Sequence, residues 1–160
     1  MKHTISALVE NKSGVLARIS GLFSARGYNI DSLAVGRTED PEISRLTLVV
    51  RGDETVLEQV TKQLNKLPNV IKVRDFLNTD YVERDLVLIK VTAEKKIRPE
   101  IIEIASIFRS KIVDVGGDSL TVEMTGTEDK IKAFIELMKP YNIIEMARTG
   151  VIALERGGKK

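Results

Sequence analysis

At 160 residues the chain has room for one ordinary domain or two small ones, and 42% hydrophobic with 30% charged residues excludes both a disordered chain and a membrane-embedded one. There is no cysteine and only one histidine, His3, which removes disulfides, zinc–thiolate and iron–sulfur sites, and cysteine nucleophiles. The net charge of +2 hides no polycation: residues 1–79 carry 11 Lys+Arg against 9 Asp+Glu, and residues 80–160 carry 14 of each.

Met1-Lys2-His3-Thr4 leads straight into alternation, without a signal-peptide core, and with the missing cysteines this reads as a cytoplasmic chain. His3 to Val9 alternates as a strand, with Ile5, Ala7 and Val9 on one face. Asn11-Lys12-Ser13-Gly14 breaks it. Val15, Leu16, Ile19, Leu22 and Phe23 follow at helical spacing, predicting a helix from about Gly14 to Arg26 that ends at Gly27. Tyr28 to Val35 is a second strand, Gly36–Glu42 a loop around Asp40-Pro41, and Ile43 to Val50 a third strand. Val56, Leu57, Val60, Leu64 and Leu67 stripe a second helix that Pro68 stops, and Val70 to Leu77 is a fourth strand.

The second half repeats the order. Asp85 to Ala93 is an apolar strand, Pro99 suits a helix's first turn, and Ile101, Ile104, Ala105 and Phe108 form its stripe. Lys111–Val115 and Leu120–Thr125 are strands joined by a Gly116-Gly117 hairpin. Thr127-Glu128-Asp129 opens a helix with Ile131, Phe134, Ile135 and Met138 inside, and Ile143 to about Glu155 closes with strand before a frayed tail, 156–160. The class is α+β, two β-α-β-β-α-β units in tandem, each an antiparallel four-stranded sheet with helices on one face, the polar stretch Asn78–Arg84 being the seam. The third strand is apolar on both parities. That predicts a sheet whose free face or edge is covered, by the other unit or by a second chain.

Three functions suit such units. RNA recognition needs aromatics on the central strands and a clustered basic face; neither Ile43–Val50 nor Leu120–Thr125 holds one aromatic ring. An enzyme needs a constellation, and the sequence has no phosphate loop, G-x-S-x-G elbow or HExxH; His3 reads as a surface histidine. A binding module for a small effector has a concrete feature. Asn11–Leu16 places a turn at a helix start, where free N–H groups and the positive dipole end suit a carboxylate. Gly14 leaves room, Asn11 offers an amide oxygen to an ammonium group, and Val15, Leu16 and Ile30 wall an apolar pocket. The plain alternative is a helix N-terminus capped by Ser13 or Asn11.

The run Leu8-Val9-Glu10-Asn11-Lys12-Ser13-Gly14-Val15-Leu16-Ala17-Arg18-Ile19 resembles the opening of an ACT domain. Gly21 to Leu33, Ser44-Arg45-Leu46-Thr47, Val82-Glu83-Arg84 and Ala147-Arg148-Thr149-Gly150 resemble the small regulatory subunits of acetolactate (acetohydroxyacid) synthase. The resemblance implies an ACT domain over residues 1–78, a linker at 79–84 and a ferredoxin-like regulatory domain over 85–160. It implies a chain with no active site that activates a catalytic subunit in branched-chain amino-acid biosynthesis and confers feedback inhibition by valine or a relative. The catalytic partner, not this chain, would hold thiamine diphosphate, Mg and FAD. The effector pocket would lie between two paired ACT domains, using Asn11, Gly14, Val15 and Leu16 of one chain with Asn29 and Ile30 of its mate. No metal, nucleic acid or membrane is implied. The alternative is a stand-alone ACT-type amino-acid sensor acting on another partner.

Overall fold

The computed structural model describes residues 1–157, so the last three residues of the expected frayed tail lie outside it. Two compact units form: Met1–Val82 together with residues 151–157, and Glu83–Gly150.

In the first unit, strands β1 (Lys2–Glu10), β2 (Asn29–Arg37), β3 (Ile43–Arg51) and β4 (Val70–Asp75) form an antiparallel sheet in the order β2-β3-β1-β4. Helices α1 (Val15–Arg26) and α2 (Glu54–Asn65) supply Val15, Ile19, Phe23, Leu57, Val60 and Leu64 to a core whose other side is Ile5, Ala7, Val9, Leu46, Leu48 and Val50. Each of the larger of these side chains contributes about 1.5–3 kcal/mol by leaving water. Asp53 caps α2 by accepting the Val56 N–H at 3.0 Å.

The opposite face is also partly covered, since Ser6, Thr47 and Val49 are buried. Here the chain departs from expectation. Residues 143–155 are not one strand: β8 (Ile143–Arg148) ends, Gly150 takes φ +87°, and β9 (Ile152–Glu155) follows in the first unit. Val151 and Ala153 are buried, Val151 N–H donates to Ser32 Oγ at 3.0 Å, Arg74 pairs with Glu155, and Arg156 N–H donates to the Asp80 carbonyl at 2.9 Å. Residues 151–157 group with the first unit, and β9 pairs with the strand that begins at Tyr81. Of the expected linker 79–84, Thr79 and Asp80 lie outside any strand and the rest is already strand. The turn comes earlier, at Asn78 (φ +60°), and Tyr81 already begins β5 (Tyr81–Thr92), its ring 4.8 Å from that of Phe76.

The second unit runs β5, α3 (Arg98–Ile107), β6 (Lys111–Val115), β7 (Ser119–Gly126), α4 (Glu128–Met138) and β8, with sheet order β6-β7-β5-β8. Val87, Ile89, Val91, Leu120, Val122 and Met124 pack on Ile101, Ala105, Ile131, Phe134 and Met138. Thr127 caps α4, and Arg98 Nη2 ties the β6–β7 hairpin by donating to the carbonyls of Gly116 and Gly117. Asp85, 2% exposed, accepts from Arg148 Nε and Nη2 at 3.1 and 2.5 Å, and lies 3.2 Å from Thr149 Oγ1, knotting the start of β5 to the end of β8. The architecture is the tandem ferredoxin-like α+β fold. Among the described residues no helix is long and apolar enough to cross a membrane.

Candidate functional site

The chain leaves β1 at Glu10 and turns into α1 through Asn11–Gly14. Asn11 is held twice: its N–H donates to the Glu42 carbonyl at 2.7 Å and its Nδ2 to the Pro41 carbonyl at 2.9 Å. Its Oδ1 is left to accept from elsewhere. Gly14 is the N-cap, with φ +87° and ψ −15°, and neither Ser13 nor Asn11 caps the helix. A Cβ at Gly14 would meet nothing within 4 Å, so the position demands glycine for its left-handed backbone and not for space. Val15 N–H donates weakly to the Lys12 carbonyl at 3.4 Å, and Arg18 N–H returns to Gly14, whereas Leu16 N–H and Ala17 N–H have no protein partner among the described residues. The first turn of α1 has no acidic residue. Glu10 is drawn off by Lys12 at 2.8 Å, and that hydrogen bond, with a second from Asn69, holds the Glu10 carboxyl below its ordinary value. Two amide donors therefore stand at the positive end of a twelve-residue helix with no carboxylate of their own.

The apolar wall is only partly as expected. Val15 is 6% exposed and its side chain belongs to the core, so it offers a ligand no more than its backbone. Leu16 is 45% exposed and free to line a pocket. The loop Thr38–Glu42, read from sequence only as a turn, holds Asn11, and Asp40 Oδ1 fixes it by accepting Glu42 N–H at 3.0 Å.

Asn29 and Ile30 open β2, the edge strand of the sheet, Asn29 exposed and Ile30 half-buried. Register puts them opposite Arg51 and Val50, and Arg51 opposite Lys2, at the far end of the sheet from Glu10. At ~3.4 Å per residue the length of β1 separates the two groups, roughly 27 Å. One chain does not bring the six residues together. The register slips between Ile30 and Ser32, and Asp31 at the slip accepts from Arg51 at 2.9 Å with Lys2 at 3.3 Å; the guanidinium, helped by Lys2, holds its carboxyl below the ordinary value.

His3 is not a surface residue: it lies across from Val50, buried, with Nε2 unpartnered among the described residues. A groove of about 350 Å³ lined by Leu57, Leu77, Glu54, Glu58 and Asp75 lies along α2 and holds none of the six residues. Among the described residues no cluster of His, Asp or Glu is fit to hold a metal ion.

Residues 5–72 match the family model described as the AHAS small subunit-like ACT domain, and residues 84–157 match that described as the small subunit of acetolactate synthase. The chain is 58% identical over 160 residues to a probable acetolactate synthase small subunit of Archaeoglobus fulgidus, covering all of both chains. It is 53% identical to the acetolactate synthase small subunit of Mycolicibacterium smegmatis over 97% of this chain and 91% of that one. The crystal structure of the Thermotoga maritima small subunit superposes with a TM-score of 0.91 at 40% identity over 99% of each chain.

Proposed function

The chain belongs to the family of acetolactate synthase small subunits and opens with that family's ACT domain, and from this premise we propose that it activates a catalytic acetolactate synthase subunit and makes it sensitive to valine or a related branched-chain amino acid. The catalytic subunit carries the thiamine diphosphate, Mg and FAD; this chain carries the effector site. The observation that carries the reading is the pair of unpartnered amides, Leu16 N–H and Ala17 N–H, at the start of α1.

In the proposed complex the effector's carboxylate accepts from these amides, its ammonium donates to Asn11 Oδ1, and its side chain lies on Leu16. Asn29 and Ile30 come from a second copy. Register supports this arrangement. Pairing β2 with the β2 of a second chain about a twofold axis near Leu33 sets Asn29 of one opposite Arg37 of the other, and Arg37 lies across β3 at Ser44, the end where α1 begins. The edge is suited to it: Leu33 and Val35 on β2 are exposed apolar residues on an open strand. Valine is one methylene shorter than leucine or isoleucine, a difference of about 1–3 kcal/mol in such a pocket.

The test is reconstitution. Mixed with its catalytic subunit the chain raises the rate of acetolactate formation from pyruvate, and valine reverses the gain; alone it makes none. Turnover by the purified chain without partner, or a partner whose rate is indifferent to it, overturns the assignment.

A further inference from the structure

The face of the first unit's sheet that looks away from the helices carries cations the fold does not neutralise. Register places Leu8 of β1 between Arg45 of β3 and Lys72 of β4, and Ser6 between Thr47 and Arg74. Because Ile5, Ala7 and Val9 face the helices, the alternating residues Ser6, Leu8, Arg45, Lys72 and Arg74 share the opposite face. Arg74 is matched by Glu155 from the returning segment. Arg45 has no such match: its Nη1 donates at 2.7 Å to the hydroxyl of buried Ser6, and neither Arg45 nor Lys72 has a carboxylate partner among the described residues. Glu10, at the end of the same strand, is taken up by Lys12 and Asn69.

A half-buried guanidinium normally finds a carboxylate, and a guanidinium has five donors, so one bond to a neutral hydroxyl fixes its position and leaves most of its capacity unused. Between these cations lies one apolar side chain, the half-buried Leu8. Glu155 shows the chemistry this face accepts, a carboxylate carried on an extended segment.

We propose that Arg45 and Lys72, flanking Leu8, form the surface on which the chain receives an acidic, extended segment of the catalytic subunit, its carboxylates meeting the two cations and an apolar side chain covering Leu8. The inference rests on the reading of the chain as a regulatory subunit, and names its docking face. The face is distinct from the β2 edge and from the α1 turn, so association and effector binding are separable.

The experiment measures association of the full chain with its catalytic subunit by calorimetry across a salt series, for wild type, Arg45→Glu with Lys72→Glu, Lys72→Glu alone, and Lys132→Glu on the exposed side of α4. Wild-type affinity falls as salt screens the contact. The double reversal lowers affinity at least tenfold at low salt and removes that salt dependence, while its valine affinity as a free chain stays near wild type. Lys72→Glu alone, at an exposed position that folding does not need, gives a partial loss in the same direction; Lys132→Glu gives none. Equal affinity for wild type and both reversals overturns the proposal, as does a loss that leaves the salt dependence unchanged. A wild-type chain that does not associate with the catalytic subunit at all overturns the functional reading itself, a result distinct from the other two.

Discussion

Replacing Gly14 with aspartate separates the fold's need for this residue from the ligand's. The backbone is left-handed there (φ +87°), and an added Cβ meets nothing within 4 Å, so the cost is conformational and not steric. That cost is about 1–2 kcal/mol for an L-residue, at the lower end for aspartate. A negative charge at the helix N-terminus returns about 0.3–1 kcal/mol. The net loss of stability is therefore about 1 kcal/mol or less, which for a unit of this size lowers Tm by at most about 4–8 °C. Effector binding responds far more. The new carboxylate competes for the N–H groups of Leu16 and Ala17 and repels the effector's own; two charge-assisted hydrogen bonds at about 1.5–3 kcal/mol each are forfeited, more than about 100-fold in affinity. Gly14→Ala bears the same backbone strain without the charge and keeps valine affinity within a few-fold. Calorimetric titration of valine, with thermal unfolding followed by circular dichroism, reads both quantities. Valine affinity in Gly14→Asp within twofold of wild type places the carboxylate site elsewhere. Equal losses in the two variants assign the effect to strain and refute the competition argument.

Asn29→Ala, removing the polar partner that the proposed site takes from a second copy, weakens valine binding by about 1–3 kcal/mol without changing the oligomeric state seen in sedimentation. Val35→Asp puts a charge into the open β2 edge, dissociates the proposed dimer in sedimentation and abolishes valine binding, since the proposed pocket draws on both chains. Glu83→Gln stabilises the second unit at neutral pH: burial, with Glu128 and Asp129 nearby, raises the Glu83 carboxyl above its ordinary value, so the ionised form is disfavoured in the fold. For a carboxyl raised in this way the penalty is present above the folded pKa and disappears as pH falls below 4.5, and Tm curves of variant and wild type should converge there. Asp85→Asn leaves Arg148 without its carboxylate in a site where the acid is buried, and the unfolding free energy of the chain drops by about 2–4 kcal/mol in denaturant titration.

Local chemistry accounts for much of this protein without reference to tertiary contacts. Alternation in His3–Val9 and Asp85–Ala93, the helical stripes, the stop at Pro68 and the Gly116-Gly117 hairpin each depend on residues a few positions apart, and each appears where that spacing places it. The same is true of the α1 turn, whose glycine and unpaired amides follow from the helix end itself. Other features were decided only by packing. Nothing near Val15 says that its side chain turns inward while Leu16 turns out, since both belong to the same helical stripe and the sheet chooses between them. His3 becomes a buried residue because β1 is central in the sheet, and no neighbour in sequence encodes that. The hydrogen bond from Val151 to Ser32 spans 119 positions, and the pairing of Glu155 with Arg74 spans 81. Contacts of that range leave no periodic trace in the chain, because they depend on where Gly150 redirects the backbone after β8 is complete. So does the separation of Asn11 from Asn29: strand register alone, not composition, sets them at opposite ends of one sheet, which is why the proposed site draws on a second copy.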